Sequence, residues 1–382
     1  MKRIAIIAAA VLMAACSHSN NGPVLTKSGL DPQAFVAEYN GQPTALYTLA
    51  NESGMEVCVT NFGGRIVSVM VPDKDGNMKD VVLGFDSLGQ YQRIPSDFGA
   101  AIGRYANRIN QGKITVEGQE IQLPVNNYGH CLHGGPNGWQ YGLFNANLID
   151  SSKIELTLFS PDGDANFPGN VNAKVTYTLT DDNAIDIAYE ATTDKETVIN
   201  MTNHSYFNLN GNPEETVLND TLYINADAFT PVDSTFMTTG AIASVFETPL
   251  DFTKPCTIGE RIDADNEQLA NGHGYDHNWV LNTKGDIEQL AARVSCPATG
   301  IVLDVYTDQP GIQIYTGNFL DGTVTGKKGI TYAQRTAICL ETQVYPDSPN
   351  KFAQGVEGWP TAYLKPSETY THHTIYKFSV NK

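Results

Sequence analysis

Residues 202–211, TNHSYFNLNG, set one imidazole among amides, hydroxyls and two aromatic rings. An imidazole changes charge near neutral pH, so His204 can brace the fold, ligate a metal or move a proton. A partner for the last role stands in ICLETQVYPDSPN, where Glu341 follows the apolar run Ile338, Cys339 and Leu340 and precedes Gln343 and a Pro-rich turn. Partial burial there would raise the pKa of the carboxylate toward the range where it accepts and returns protons at neutral pH. A strand-end Glu in a salt bridge is the alternative.

Four further stretches carry polar groups of the kind that hold a ligand. GAAIGRYANRINQG places Arg104, Asn107 and Arg108 between glycines. That is either a solvated arginine pair beside a turn or a hydroxyl-binding corner, because an amide and a guanidinium fork supply several fixed donors. NNYGHCLHGGPNGW presents His130 and His133, followed by two glycines that let the backbone approach something closely. H-x-x-H on a strand or loop points its two rings apart and has no adjacent carboxylate, which disfavours the pair as a metal site. His133 reads as a ligand-binding donor, with a satisfied structural histidine as the alternative, and His130 as structural. GYDHNWVLN contains Asp276, whose local alternative is a turn carboxylate capping backbone amides. In QPGIQIYTGNFLDG, Gln313 and Tyr315 lie on the strand face opposite Ile312 and Ile314 and share whatever surface that face looks onto.

The elements that must position these groups are strands. From about Tyr39 onward the dominant period is two. AKVTYTLTDDNAIDIAYEA puts Ala173, Val175, Tyr177 and Leu179 on one face, turns at Asp182 and Asn183, and resumes inward with Ile185, Ile187, Tyr189 and Ala191. KIELTLF repeats the pattern, and GRIVSVMVPDKDGN ends a strand in a Pro/Asp/Gly turn. DIEQLAARV, near residue 290, is the best short helical segment. An all-β fold follows, a large antiparallel β-sandwich in a single domain.

With 382 residues, 41% hydrophobic and 17% charged, the chain can bury a large core and is not disordered. A formal charge of −18 repels phosphate backbones and anionic lipid surfaces, which excludes nucleic acid as a partner. MKRIAIIAAAVLMAACSHSN differs from everything after it: a basic start, an apolar run from Ile4 to Ala15, and small residues before Cys16. This is the layout of a secretory signal, and the apolar run is shorter than the roughly 20 residues a membrane-spanning helix needs. Cys16 resembles the lipid-modified cysteine of bacterial lipoproteins. The expected organisation is a signal at 1–16, a polar tether at 17–38 and a β-sandwich at 39–382. The protein is then expected in the bacterial cell envelope, anchored by lipid at Cys16, facing the periplasm or on the outer membrane. Cys58, Cys131, Cys256, Cys296 and Cys339 are odd in number and lack metal-type C-x-x-C spacing, so they read as mostly buried small hydrophobes.

Nine segments, TNFGGRIVSVMVPDKDGN, VVLGFDSLGQY, GRYANRI, LHGGPNGW, TNHSYFNL, TPLDF, GYDHN, GIQIYTGNFLDG and CLETQVYPDSPN, occur in an order that resembles the aldose 1-epimerase (galactose mutarotase) family. The resemblance runs from about Tyr47 to Val380. It implies a galactose mutarotase-like supersandwich whose concave sheet binds an aldohexose such as galactose or glucose. It further implies interconversion of α and β anomers, with His204 as general acid, Glu341 as general base, and Asn107, Arg108, His133, Asp276 and Gln313 holding the sugar. Neither a metal nor an organic cofactor has a task in that scheme. Two rivals stand beside it: a non-catalytic carbohydrate-binding lipoprotein, and a metal-dependent sugar isomerase using His133, His204 and Glu341 as ligands.

Overall fold

The two-residue period over 171–193 becomes the centre of a nine-stranded antiparallel sheet. Val171–Leu179 and Ala184–Thr193 pair from Val171 opposite Thr193 to Leu179 opposite Ile185. Outward on one side lie Lys153–Ser160 and Asn145–Leu148; on the other lie Tyr370–Val380, Ile301–Thr307, Ala292–Ser295, Thr221–Ile224 and Cys256–Thr257. The inward residues expected from the sequence, Ala173 to Leu179 and Ile185 to Ala191 at every second position, are all buried in one core cluster. This computed structural model describes residues 23–381, so the signal-type segment 1–16, Cys16 and residues 17–22 of the expected tether lie outside the described residues.

A second antiparallel layer packs across that core. It begins with Leu46–Ala50, Glu56–Thr60, Arg65–Pro72 and Met78–Asp80. It ends with five strands in the order Ala243–Ser244, Ala228–Thr230, Asp276–Val280, Gly311–Tyr315 and Cys339–Gln343. Between them sits a short pair, Ala100–Ile102 with Thr202–His204. Backbone bonds from the Ile66 N–H to the Gly99 carbonyl, and both ways between Phe207 and Ile338, join the three pieces. Val57, Val59, Ile66, Ile312, Ile314 and Leu340 point into the same core as Val175 and Ile187, so the two layers form the expected sandwich. Alternation then sends Gln313 and Glu341 to the opposite face of the second layer. Three α-helices of six residues each, Leu88–Arg93, Glu267–Gly272 and Ser348–Ala353, sit in the connections.

Two expectations are corrected. Residues 286–294 do not form a helix: they make turns and then enter the strand Ala292–Ser295, which pairs with Ile301–Thr307 on one side and Thr221–Ile224 on the other. Burying Ala292 and Val294 between two neighbouring strands outweighs the modest helix propensity of Glu, Gln, Leu and Ala. The tether also ends earlier than 38. Leu30 and Phe35 are buried in a cluster with Phe85 and Tyr91, the Lys27 N–H donates to Glu56 Oε1 at 2.7 Å, and Thr44 Oγ1 donates to the Phe35 carbonyl at 2.8 Å. The folded body therefore includes residues 27–38, because two large apolar side chains there gain more from the core than from water. The five described cysteines are all free and four are buried, as small hydrophobes would be.

Asp220, 1% exposed at the edge of the nine-stranded sheet, has no hydrogen-bond partner on either carboxylate oxygen. Burial pushes its pKa up to about 7, with the nearby Cys296 thiol opposing part of the rise. An acid whose folded-state pKa is raised adds stability below its unfolded pKa that is lost as pH climbs through the folded value. Between pH 4 and pH 8 this group therefore removes up to about 4 kcal/mol of stability. Asp220→Asn is expected to abolish that part of the slope in urea denaturation measured across the same range. An Asp220→Asn protein with the wild-type slope would show that the carboxyl is not neutral in the folded state.

Candidate active site

The face of the second layer turned away from the core is where the polar candidates meet. Gln313 stands opposite Glu341 in the strand register, and Asp276 stands opposite Tyr315. His204 ends the Thr202–His204 strand, and the Phe207–Ile338 bonds bring that strand beside Cys339–Gln343. Asn107 and His133 arrive on loops whose neighbours pair as Arg108–Ile109 with Cys131–Leu132. Both adopt left-handed backbone, φ 64° and 52°, which side chains other than glycine occupy at a cost. They hold each other there: the His133 N–H donates to the Asn107 carbonyl at 3.2 Å, and the Asn107 N–H donates to His133 Nδ1 at 3.1 Å. Gly134 must follow, since its φ is +79° and a Cβ would lie 2.3 Å from the Gly103 carbonyl oxygen.

These elements enclose a cavity of about 280 Å³, and all seven residues expected at the site line it: Asn107, Arg108, His133, His204, Asp276, Gln313 and Glu341. His204 Nε2 lies 3.5 Å from Glu341 Oε1, with both side chains almost wholly buried. The His133 ring meets the His204 ring edge-on at 5.2 Å, and Tyr206 stacks on His204 at 5.0 Å. Because His133 Nδ1 is an acceptor from backbone, its proton sits on Nε2 and makes that atom a donor. Gln313 Nε2 donates to Asp276 Oδ1 at 2.7 Å, and Arg108 Nε and Nη2 both donate to Asn127 Oδ1 at 3.1 and 3.0 Å. The Arg108 guanidinium also covers the Phe236 ring at 4.7 Å. Gln343 donates to Asn278 Oδ1 and accepts from Asn107 Nδ2, tying strand to loop.

Burial governs the charges. It raises the Glu341 pKa well above the usual carboxylate range, Asp276 and Asp97 push the same way, and only Arg108 opposes. Burial lowers His204, opposed chiefly by Asp97. His133 falls well below its ordinary value through burial, then through the neighbouring His204 and Arg108. Asp276 is raised by burial against Arg108 and the Gln313 hydrogen bond. An acid is thus moved up and a base moved down within 3.5 Å of each other, each disfavoured in its charged form. Glu341 Oε2 and His204 Nδ1 have no partner within the protein.

The structure separates residues that the sequence left together. Arg104 is not at the site: its guanidinium is buried against the carbonyls of Pro168 and Gly169, Ser160 and Thr197 Oγ1. His130 is structural, accepting from the Gln111 N–H at Nδ1 and meeting Thr235 Oγ1 at Nε2. Asp97, Asn127, Tyr128, Tyr206 and Phe319 also line the cavity and were not singled out. Tyr206, two residues after His204 in the same run, was findable; a lone Asp97 or Asn127 in a loop gave no signal. Asp97, His133 and His204 bring one donor atom each within 4.8 Å of one another, the one such His/Cys/Asp/Glu group among the described residues, and it does not include Glu341.

Comparison with known proteins points in one direction. Residues 45–377 match the family model described as aldose 1-epimerase. The chain is 41% identical to the galactose mutarotase of Rattus norvegicus over 326 residues, 85% of this chain and 92% of that protein. It is 39% identical to the aldose 1-epimerase of Escherichia coli (strain K12) over 341 residues, 89% of this chain and 96% of that one. Among solved structures, an aldose epimerase homologue from C. elegans superposes with a TM-score of 0.81 at 31% identity, covering 89% of this chain and all of that one. The galactose 1-epimerase of Lactobacillus acidophilus NCFM gives 0.79 at 29% identity, covering 91% and 97%.

The division between Arg104 and Arg108 is testable. Arg104→Lys keeps the charge but cannot reach both pairs of acceptors, and buried acceptors left without donors are costly. The variant is expected to lose about 2–4 kcal/mol in chemical denaturation. A change below about 0.5 kcal/mol, the scatter of ordinary surface substitutions, would contradict the structural role.

Proposed function

The chain belongs to the aldose 1-epimerase family and interconverts the α and β anomers of aldoses, and we propose that His204 and Glu341 carry out the two proton transfers of that reaction. The observation that carries this reading is the 3.5 Å approach of His204 Nε2 to Glu341 Oε1 inside the cavity. The two oxygens on an anomeric carbon are neighbours, so an acid and a base that serve both must themselves be neighbours. Glu341 takes the proton of the anomeric hydroxyl as its O–H electrons form the carbonyl. The bond between the anomeric carbon and the ring oxygen breaks, and the ring oxygen receives a proton from His204. Rotation about the bond next to the aldehyde exposes its other face. His204 then takes back the hydroxyl proton as the ring closes, and Glu341 returns its own to the carbonyl oxygen.

The remaining residues hold the sugar. Asn107, Arg108, His133, Asp276 and Gln313 offer donors and acceptors already fixed by hydrogen bonds to one another or to Asn127, which limits the reorganisation that binding requires. Tyr128 and Phe319 supply apolar faces to the C–H side of a pyranose. A cavity of about 280 Å³ suits one aldohexose, and galactose and glucose are the substrates we propose. Two relatives that carry galactose in their names support the first of these.

The leader and Cys16 belong to the same proposal. MKRIAIIAAAVLMAAC supports a secreted protein held at the bacterial cell envelope by lipid on Cys16, a position from which it would meet incoming sugars. Stable attachment needs more than one acyl chain, as bacterial lipoprotein modification supplies. Cys16→Ser is expected to move the protein from the membrane to the soluble fraction or leave it unprocessed; a mature product that stays fully membrane-bound would reject the lipid anchor.

For the chemistry, Glu341→Gln and His204→Ala are each expected to reduce turnover by roughly 10²–10⁴-fold while sugar binding changes far less. The double variant should lose much less than the product of the two factors, because groups that act as a unit are not additive. Anomer equilibration by polarimetry, with calorimetric binding on the same preparations, reads both quantities. Wild-type rates from Glu341→Gln would sink the assignment.

A further inference from the structure

The cavity contains a carboxylate that this mechanism does not use. Asp97 lines it, one oxygen lies within 4.8 Å of ring nitrogens of both His204 and His133, and its Oδ1 is buried without a hydrogen-bond partner. Its backbone is held tightly. Arg65, itself fully buried, donates to the carbonyls on either side of it, Ser96 and Phe98, at 2.9 Å each. Gly99 follows with φ +70°, and a Cβ there would lie 1.9 Å from the Ile66 carbonyl oxygen, so the chain is pressed against the neighbouring strand. The Gly99 N–H donates to the His204 carbonyl at 3.0 Å, and Ala100 then pairs with His204. Phe98 meets Tyr206 edge-on at 4.7 Å, and Tyr206 stacks on His204. Strand pairing and ring packing thus fix the Asp97 backbone relative to the imidazole, with the carboxylate beside it.

We propose that Asp97 is a positioning residue of the anomerisation, an anion fixed beside His204 that keeps the transferable proton on its imidazole. This rests on the reading of His204 as the general acid. The need is electrostatic. Burial and the Arg65 guanidinium disfavour an imidazolium at this position, and the His133 ring meets the His204 ring edge-on. Across the cavity Arg108 favours the ionised form of Glu341 while Asp276 and Asp97 oppose it, and Tyr206 covers one face of the His204 ring. Burial alone shifts the proton of the pair toward Glu341, the group that has to be empty at the start of ring opening. Arg108 biases the carboxylate toward its charged form, and Asp97 biases the imidazole toward its own. Asp97 also raises Glu341 and Arg108 opposes that rise, so the arrangement from which both transfers begin needs both charges.

The test is the pH dependence of kcat/KM for anomer equilibration, measured with EDTA present in wild type, His204→Ala and Asp97→Asn. The reading of His204 requires a wild-type alkaline limb that is missing in His204→Ala. The present proposal requires that Asp97→Asn, which removes no hydrogen bond, move that limb to lower pH by about one unit, as expected for losing an anion about 5 Å away. Activity then falls about tenfold at pH 8 while KM stays within about twofold. The acid limb moves the same way, because Asp97 also raises Glu341. Asp97→Ser carries the same expectation should the Asn protein fold poorly, and Asp97→Glu should restore much of the limb. A His204-dependent limb that stays in place in both uncharged variants overturns the role of Asp97 alone, as does a large rise in KM without a shift, which would make Asp97 a sugar ligand. A wild-type profile with no alkaline limb overturns the general-acid reading, and this proposal with it.

Discussion

A carboxylate and an imidazole buried 3.5 Å apart on one face of a sheet set the terms for everything around them. Burial disfavours charge on both, so neither group is functional without neighbours that return it to its working state. Arg108 faces Glu341 from the short strand Arg108–Ile109, and Asp97 faces His204 from the segment before Ala100. Each of these is restrained in turn, Arg108 by Asn127 and Phe236, Asp97 by the Arg65 grip on its flanking carbonyls. The cost of burying titratable groups thus spreads outward into a shell of amides, arginines and rings that restrain the charges beside them.

The fold meets that requirement through a layer that is buried on both faces. Ile312, Ile314 and Leu340 fill the core while Gln313 and Glu341, one residue away, floor the cavity. A one-residue slip in the pairing of 311–315 with 339–343 would exchange the two faces, sending carboxylate into the core and isoleucine into the site. Core packing therefore fixes the register, and the register fixes the distance between catalytic groups. Stability and activity are coupled through the same strands.

Legibility in the sequence followed this geometry. Wherever a strand alternates cleanly, as at 173–179, 185–191 and 312–314, the faces could be read directly from residue types. Gln313 was accessible by the same route, Glu341 by the apolar run before it, and His204 by its setting among amides and rings. What alternation does not report is which loop residue arrives at the site. Arg104 and Arg108 look alike in GRYANRI, yet one is consumed by the carbonyls around Ser160 and Pro168 and the other faces the cavity. Asp97 acquires its place only because Ala100–Ile102 pairs with Thr202–His204, a contact across a hundred residues that no local pattern encodes. The helix expected at 286–294 failed for the converse reason, a local propensity overruled by strands on both sides.

The reaction itself explains why the site takes this form. Substrate and product differ at a single carbon, and the enzyme must accept either as its starting point. A group that bound one anomeric oxygen much more tightly would slow the return direction, since only interactions stronger in the transition state than in the bound states accelerate the step. The fixed donors and acceptors of Asn107, Arg108, Asp276 and Gln313 suit the parts of the sugar that do not change. At the changing carbon, a pair sharing mobile protons serves better than a dedicated acid and a dedicated base, because after each opening it stands loaded for closure. His204 and Glu341 meet that condition only while their affinities for the proton stay close. Burial raises one affinity and lowers the other, and Asp97 at His204 and Arg108 at Glu341 each oppose the shift on the group beside it.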